Sequence, residues 1–439
     1  MSIFLSIIIV LTMPLFAYSV DNKMTPDEWE THWYEQQNNI SAICITPGKD
    51  ESEMNFAWLS HLFDVNPVFK IATKPDMSDA RLFIVEISKT NLLLWSNKVC
   101  VSGLEPDTTY YYSYSVCGVW QSTQSFKTAR SNALKVLFVS DSQIGRSGDS
   151  LNKSVQIADS YGWYSTLHNA LSIHNADMIL SGGDQVELAI SNRQYNSFLA
   201  APMLKNIPIA NAIGNHDFYF PLFKHHFNNP NEYKREFLAS PAGCGYWFPS
   251  NDTLFIVLNS NNPLSFDNES IINEAVNSCN DLKWRVVMMH HSIYSNNSGE
   301  DENLLRSAYA PLFDKYDIDL VLSGHDHYYS RSHSLTGNKI DDDGVVYITV
   351  GSASGSKINF PNEDSPFFVK SAPRLDAPNY IVLDFSGDFC DIKSYRADTN
   401  TVIDEFTLIK DVQSDELFEA EKMLIRIINI FLIVIKSIF

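Results

Sequence analysis

The stretch Ser323-Gly324-His325-Asp326-His327-Tyr328-Tyr329 follows the apolar run 318–322 and sets two histidines one residue apart. An apolar run of that length reads as a buried strand. In open α/β sheets ligands gather beyond the carboxyl ends of strands, so two imidazoles on such a loop make a candidate metal site. An H-x-H pair alone is more often a coincidence or a surface feature. Its weight comes from four further places where an apolar run ends in a polar cluster. Residues 134–140 end in Asp141-Ser142-Gln143-Ile144-Gly145, and residues 178–181 end in Gly182-Gly183-Asp184. Residues 207–213 end in Gly214-Asn215-His216-Asp217, and residues 286–289 end in His290-His291. Carboxylate, amide and imidazole donors gathered at five strand ends suit a pair of divalent cations of the iron, zinc or manganese kind.

The ordered set D-x-x, G-D, G-N-H-D, H and G-H-x-H resembles the calcineurin-like metallophosphoesterases, and among them the branch related to purple acid phosphatases. The resemblance covers roughly residues 134–410. It implies an α/β fold, a four-layer α/β/β/α sandwich, and hydrolysis of phosphate esters by attack of a metal-bound hydroxide. It also assigns roles. Asp184 would bridge two cations, which such sites hold about 3.5 to 4 Å apart. Asp141 and His327 would bind one metal, and Asn215, His290 and His325 the other. His216 would face the phosphoryl group and protonate the leaving oxygen or stabilise developing charge, with Asp217 orienting it. His291 either contacts substrate or packs behind His290.

Two positions depart from the pattern. Where purple acid phosphatases carry a tyrosine that binds ferric iron, this chain has Glu187, so a colourless enzyme working with divalent metals is expected. Where the wider superfamily has D-x-H, Gln143 stands in place of the histidine. It is an additional ligand candidate through its amide oxygen. The turn Ser352-Ala353-Ser354-Gly355-Ser356-Lys357 follows a strand; it either closes a tight turn or brings Lys357 to a phosphate. His225 and His226, among aromatics, read as pocket rim or surface.

The rest of the chain supplies the setting. Its 439 residues, 45% hydrophobic and 19% charged, suffice for two domains with sizeable cores. A formal net charge of −20 argues against a nucleic-acid-binding surface, which needs clustered Lys and Arg. Residues 2–16 are apolar and end in Ala17-Tyr18-Ser19, a secretory signal over 1–19 that lacks the usual preceding basic residue. Residues 20–39 form an N-terminal segment. Between 40 and 129 seven short runs alternate with period two, as in a β-sandwich, and 103–112 resembles a fibronectin type III corner with Tyr110 as its tying residue. The phosphoesterase domain then spans 134–410, followed by an acidic spacer at 411–422. The apolar stretch 423–439 reads as a membrane anchor, an amphipathic helix or a removed lipid-anchor signal. Six cysteines allow Cys100–Cys117 and Cys244–Cys279 bridges without fixing them. Sequons occur at Asn39, Asn152, Asn251, Asn268 and Asn296.

The expected protein is therefore secreted or on the cell surface, and its substrate is a small phosphate ester or a phosphoprotein. Phosphodiester or nucleotide hydrolysis would use the same ligands. A surface binding protein with a decayed phosphatase domain is the non-enzymatic alternative, and the complete set of six ligand residues stands against it.

Overall fold

The computed structural model describes residues 22–410 apart from 65, 91–92, 236, 238–239, 263, 296–299, 362–365 and 372–374. The expected signal, acidic spacer and apolar tail, and the sequon at Asn296, lie outside the described residues. Two sheets make the larger unit. The first has the order Ile209–Asn211, Met178–Ser181, Leu134–Val139, Asn379–Ser386, Phe389–Arg396, Val402–Ile409. The second runs Tyr246–Ser250, Thr253–Val257, Trp284–Met288, Leu320–Ser323, Val346–Thr349, Ser330–Ser332, Phe368–Ser371.

Side chains on a strand alternate between faces, and here the alternation sorts residues into layers. Val136, Phe138 and Leu180 of the first sheet meet Val286, Met288, Leu320 and Leu322 of the second in one buried cluster. Their neighbours Leu137, Val139 and Ile179 point outward, to a cluster with Trp163, Leu167, Phe198 and Leu199 from the helices Lys153–Ile173 and Asn192–Leu199. On the far side Val287, Met289 and Val321 pack with Ile271, Ile272, Tyr309 and Phe313 from the helices Ser265–Ser278 and Glu300–Lys315. The result is the expected α/β/β/α stack. Strands Leu134–Val139, Met178–Ser181 and Ile209–Asn211 are mutually parallel, as are Thr253–Val257, Trp284–Met288 and Leu320–Ser323. Their carboxyl ends thus deliver the motif loops to one edge.

The smaller unit is a sandwich of a four-stranded and a five-stranded sheet around Phe56, Trp58, Phe69, Val99, Tyr112 and Phe126. The backbone N–H of Glu105 donates to the Tyr110 hydroxyl at 2.8 Å, the tie expected at the corner. The sandwich is bound tightly to its neighbour: Thr46 Oγ1 donates to the Asn228 carbonyl at 2.7 Å and Tyr112 Oη to that of Lys205 at 2.8 Å. His225 and His226 are buried rather than at a pocket rim, and the Ser96 hydroxyl donates to the His225 carbonyl across the domain junction.

An unanticipated helix, Pro26–Gln36, starts with a capping box between Thr25 and Glu28 and lies on the larger unit. Its Trp29 and Trp33 are fully buried and donate through Nε1 to Ser160 and Ser197. All six cysteines are free. Cys100 lies on Leu94–Ser102 in the four-stranded sheet, whereas Cys117 follows Thr109–Val116 in the opposing one, so neither considered bridge is present. Of the sequons, Asn268 is buried with its amide donating to two backbone carbonyls, a poor glycan acceptor. Among the described residues no helix is long and apolar enough to cross a membrane.

Candidate metal centre

Five residues at the edge where the strands end hold left-handed backbone: Asp141 (φ 53°), Gln143 (35°), Asp184 (51°), His325 (69°) and His327 (58°). Non-glycine residues rarely adopt this region, and such strain gathers at functional sites. Gly214 and Gly324 allow the close approach, since a Cβ on either would run into the carboxylate of Asp184 or Asp141.

The side chains converge. Asn215 Oδ1 lies 3.0 Å from His290 Nε2 and 3.1 Å from His325 Nδ1, and His290 Nε2 lies 3.3 Å from Asp184 Oδ2. Beside this group, His327 Nε2 is 3.5 Å from Asp141 Oδ1. Ligand atoms of Asp141, Asp184 and His290 all fall within 4.8 Å of one another. The second ring nitrogens of the two flanking histidines are held by backbone: His290 Nδ1 meets the Gly182 carbonyl at 3.0 Å and His327 Nδ1 that of Lys357 at 3.2 Å. Each Nε2 is thereby aimed inward, the usual way a ligating imidazole is oriented.

The donor set fits a pair of cations. Asp141 Oδ1 and Gln143 Oε1 are buried without a hydrogen-bond partner, which is costly unless something else satisfies them. Burial pushes His325 down to about 4 and also lowers His327, so both are neutral, the form that binds metal. Burial would lower His290 too, but the charge and hydrogen bond of Asp184 raise it to about 10. Burial would raise Asp184, yet the charge and hydrogen bond of His290 hold its carboxyl well below the usual range.

Other expected residues are placed differently. Asp217 does not touch His216. It is fully buried and accepts from Gly214 N at 3.1 Å, Gln185 N at 3.3 Å and Tyr195 Oη at 3.1 Å. Burial, then the charge of Asp184, pushes it up to about 8. It braces the loop that carries Asn215. Glu187 does what was expected of Asp217. His216 Nδ1 lies 3.1 Å from the Glu187 carbonyl and 3.4 Å from its carboxylate, leaving Nε2 free for a ligand. The same carboxylate accepts from Gln143 Nε2 at 3.0 Å and Arg146 Nη1 at 3.1 Å. Holding the amide of Gln143 in this way turns its Oε1 toward the site.

His291 stands beside His290 and His325, and one ligand atom of each of the three lies within 4.8 Å of the others. Its ring lies 4.4 Å from that of His325, and its Nδ1 is 2.8 Å from Ser260 Oγ. Tyr329 donates to Asp404, and the Tyr328 hydroxyl is 3.2 Å from Ser295 Oγ. The cleft is lined by Gln143, Asp184, Asn215, His216, His325 and His327, joined by Arg146, Asp326, Lys357 and Asn359. Arg146 and Asn359 carry no motif by which sequence could have found them.

A model of the calcineurin-like phosphoesterases matches residues 134–329, and a model of the purple acid phosphatase N-terminal domain matches residues 40–128. An uncharacterized protein of Mycobacterium tuberculosis is 24% identical over 353 residues, covering 70% of this chain and 65% of that protein. Purple acid phosphatase 22 of Arabidopsis thaliana is 26% identical over 291 residues, 61% of each chain. The chain therefore spans a little under two thirds of the length of these relatives. Among solved structures, the purple acid phosphatase PPD1 of yellow lupin seeds (Lupinus luteus) superposes with a TM-score of 0.68 at 16% identity, over 85% of this chain and 74% of that one. A structure of PhoD gives 0.58 at 12% identity, over 88% and 97%. Both domain models fall, in order, on the two folded units: a calcineurin-like phosphoesterase domain follows a purple acid phosphatase N-terminal domain.

Proposed function

We propose that this protein is a dinuclear-metal-dependent phosphate ester hydrolase of the acid phosphatase kind, its activity carried by residues 134–410. Asp141, Asp184, Asn215, His290, His325 and His327 are the ligands, Gln143 Oε1 an additional donor, and iron, zinc or manganese the metals. The observation that carries this is the close approach of Asp141, Asp184 and His290 to one another beside a cleft lined by Gln143, Asn215, His325 and His327, with two buried oxygens unpartnered. Two divalent cations, when bound, acidify water and neutralise charge on phosphoryl oxygens.

The chain's own groups do the rest. Asn215 supplies a neutral oxygen, which keeps the ligand charge low. The backbone N–H of His216 donates to Asp184 Oδ1 at 2.8 Å and so fixes the imidazole beside that carboxylate. With Nδ1 held by Glu187, Nε2 is the nitrogen that delivers a proton to the departing oxygen. Burial of the ligand carboxylates keeps bulk water from weakening these interactions. Export rests on residues 1–19 alone, and attachment to a membrane on residues 423–439 alone.

The test is reconstitution with manganese, zinc or iron, followed by elemental analysis and assay with p-nitrophenyl phosphate. About two metal equivalents and turnover are expected. Failure to take up metal would overturn the proposal, and metal uptake without turnover on monoester, diester or nucleotide substrates would favour the decayed-enzyme alternative.

A further inference from the structure

The two ends of the N-terminal sandwich differ. At one, the 48–53 turn and Pro106 border the larger unit beside Asp177, Met178 and Pro208, where strands Met178–Ser181 and Ile209–Asn211 begin. At the other, His61 lies opposite Leu94, Phe83 opposite Phe69, Phe69 opposite Tyr114, and Val116 opposite Val119. That register gathers Phe63, Ile84, Leu93, Val119 and Trp120 from separate stretches of chain, and their exposures are 72%, 91%, 63%, 64% and 44%. Side chains alternate along a strand. With Phe69, Tyr112 and Tyr114 in the sandwich core, Lys70, Leu82 and Trp120 turn to the outer face of the five-stranded sheet, and Lys70 Nζ stands 4.2 Å from the centre of the Trp120 ring. Single apolar side chains on a surface are ordinary, whereas several together mark a site that meets a protein or a membrane.

The charges beside these residues decide between the two. In the segments 61–70, 81–90 and 116–120 they are Lys70, Arg81, Lys89, Asp64 and Glu86, and Asp64 is buried. Three cations against one exposed carboxylate reverse the balance of a chain whose net charge is −20. Such a local excess complements an anionic surface. An indole with an ammonium over its face suits the boundary of a bilayer, where the ring sits at headgroup level and the ammonium reaches a phosphate. We propose that this end of the sandwich docks on an anionic membrane: Phe63, Ile84, Leu93, Val119 and Trp120 enter the interface, and Lys70, Arg81 and Lys89 meet lipid phosphates. Ser96, two residues in from Leu94, donates to the carbonyl of His225, on the helix that follows the Gly214–Asp217 loop. Docking therefore turns the edge that carries the motif loops toward the bilayer. The contact is independent of phosphate ester hydrolysis and of residues 423–439, on which the attachment above rests.

The test mixes full-length protein with phosphatidylcholine vesicles that contain about 30% phosphatidylserine and carry brominated acyl chains, which quench indole fluorescence on contact. Trp120 is the most exposed of the eight tryptophans, and residues 423–439 hold none. Quenching that is present in the wild type and lost in Trp120→Phe therefore reports the sandwich end and not the tail. Phe63→Ser combined with Ile84→Ser should reduce that quenching about tenfold or more, since each apolar side chain withdrawn weakens insertion about tenfold. Lys70→Gln combined with Lys89→Gln should weaken it on the anionic vesicles and leave it unchanged on pure phosphatidylcholine. All of these positions lie at the surface, so the variants should melt with the wild type. An unquenched Trp120 in the wild type, whether or not the protein floats with the vesicles, would overturn the proposal, as would equal quenching in the Phe63 and Ile84 double variant. Quenching as strong on pure phosphatidylcholine as on anionic vesicles would overturn the part given to the cations. A wild-type dimer that the same double variant turns into a monomer without vesicles would overturn the membrane as occupant, because a second copy would then cover this end.

Discussion

His216 is held from two sides, by its own N–H on Asp184 and by Glu187 on Nδ1, while the ligand Asn215 beside it faces His290 and His325. In the proposed mechanism, proton delivery and metal retention therefore rest on different side chains. His216→Ala should keep both metals by elemental analysis while turnover falls roughly 10²- to 10⁴-fold, the range for a positioned proton donor. Asp184→Asn should instead lose metal; if the two variants lost metal alike, this division of labour would be wrong. Glu187 acts through His216 and Gln143. Glu187→Gln keeps the shape but weakens every contact made by the carboxylate, so kcat should drop roughly 10- to 100-fold with a smaller change in KM. Wild-type kcat in that variant would remove its positioning role. Because Glu187 is no phenol and Tyr329 is tied to Asp404, iron-loaded protein should show no tyrosinate band in the visible.

At the scale of elements, the five motif loops were legible because each follows a dense apolar run, and parallel strands must end on one edge. Which carboxylate orients His216 was not legible. Asp217 is adjacent in sequence, but the tight turn from Gly214 directs it at the loop's own N–H groups, and Glu187 arrives from another strand end. The helix Pro26–Gln36 had a readable start in Thr25, Pro26 and Glu28, yet its reason for existing, two tryptophans seated on distant helices, is tertiary. The helix Leu222–His226 shows the converse, polar residues that a sequence places at the surface and the fold buries. Burial lowers His226 to about 3 and His225 to about 4. Their unfolded values lie near 6.5, so as pH falls the unfolded chain takes up protons first and stability drains away below that point. Between pH 7 and 5 the His226 contribution is on the order of 2 kcal/mol. The difference in denaturant-derived stability between those two pH values should be smaller in His226→Asn than in the wild type. An unchanged pH dependence would show that this ring is not the source.

For the whole molecule, the two sheets, the sandwich and the N-terminal helix brace a cleft whose loops hold strained residues and unpartnered buried oxygens. Such a cleft is the least self-sufficient part of the fold, and cations that satisfy it bind the native state alone. Linkage then makes metal a stabiliser: at 100 to 1,000 times the dissociation constant the gain is about 2.7 to 4.1 kcal/mol. For a chain of 439 residues, at about 2.1 cal/mol/K of unfolding entropy per residue, each kcal/mol moves the midpoint by roughly 1 °C, so manganese or zinc should raise Tm by roughly 3 to 5 °C over chelator-treated protein. Asp184→Asn should show little of this rise, whereas His216→Ala should show all of it, since one removes a ligand and the other only a proton donor. Equal melting of loaded and chelated wild type would mean that these side chains hold no cation in the native fold, and an equal metal response in Asp184→Asn would mean that the cations sit elsewhere.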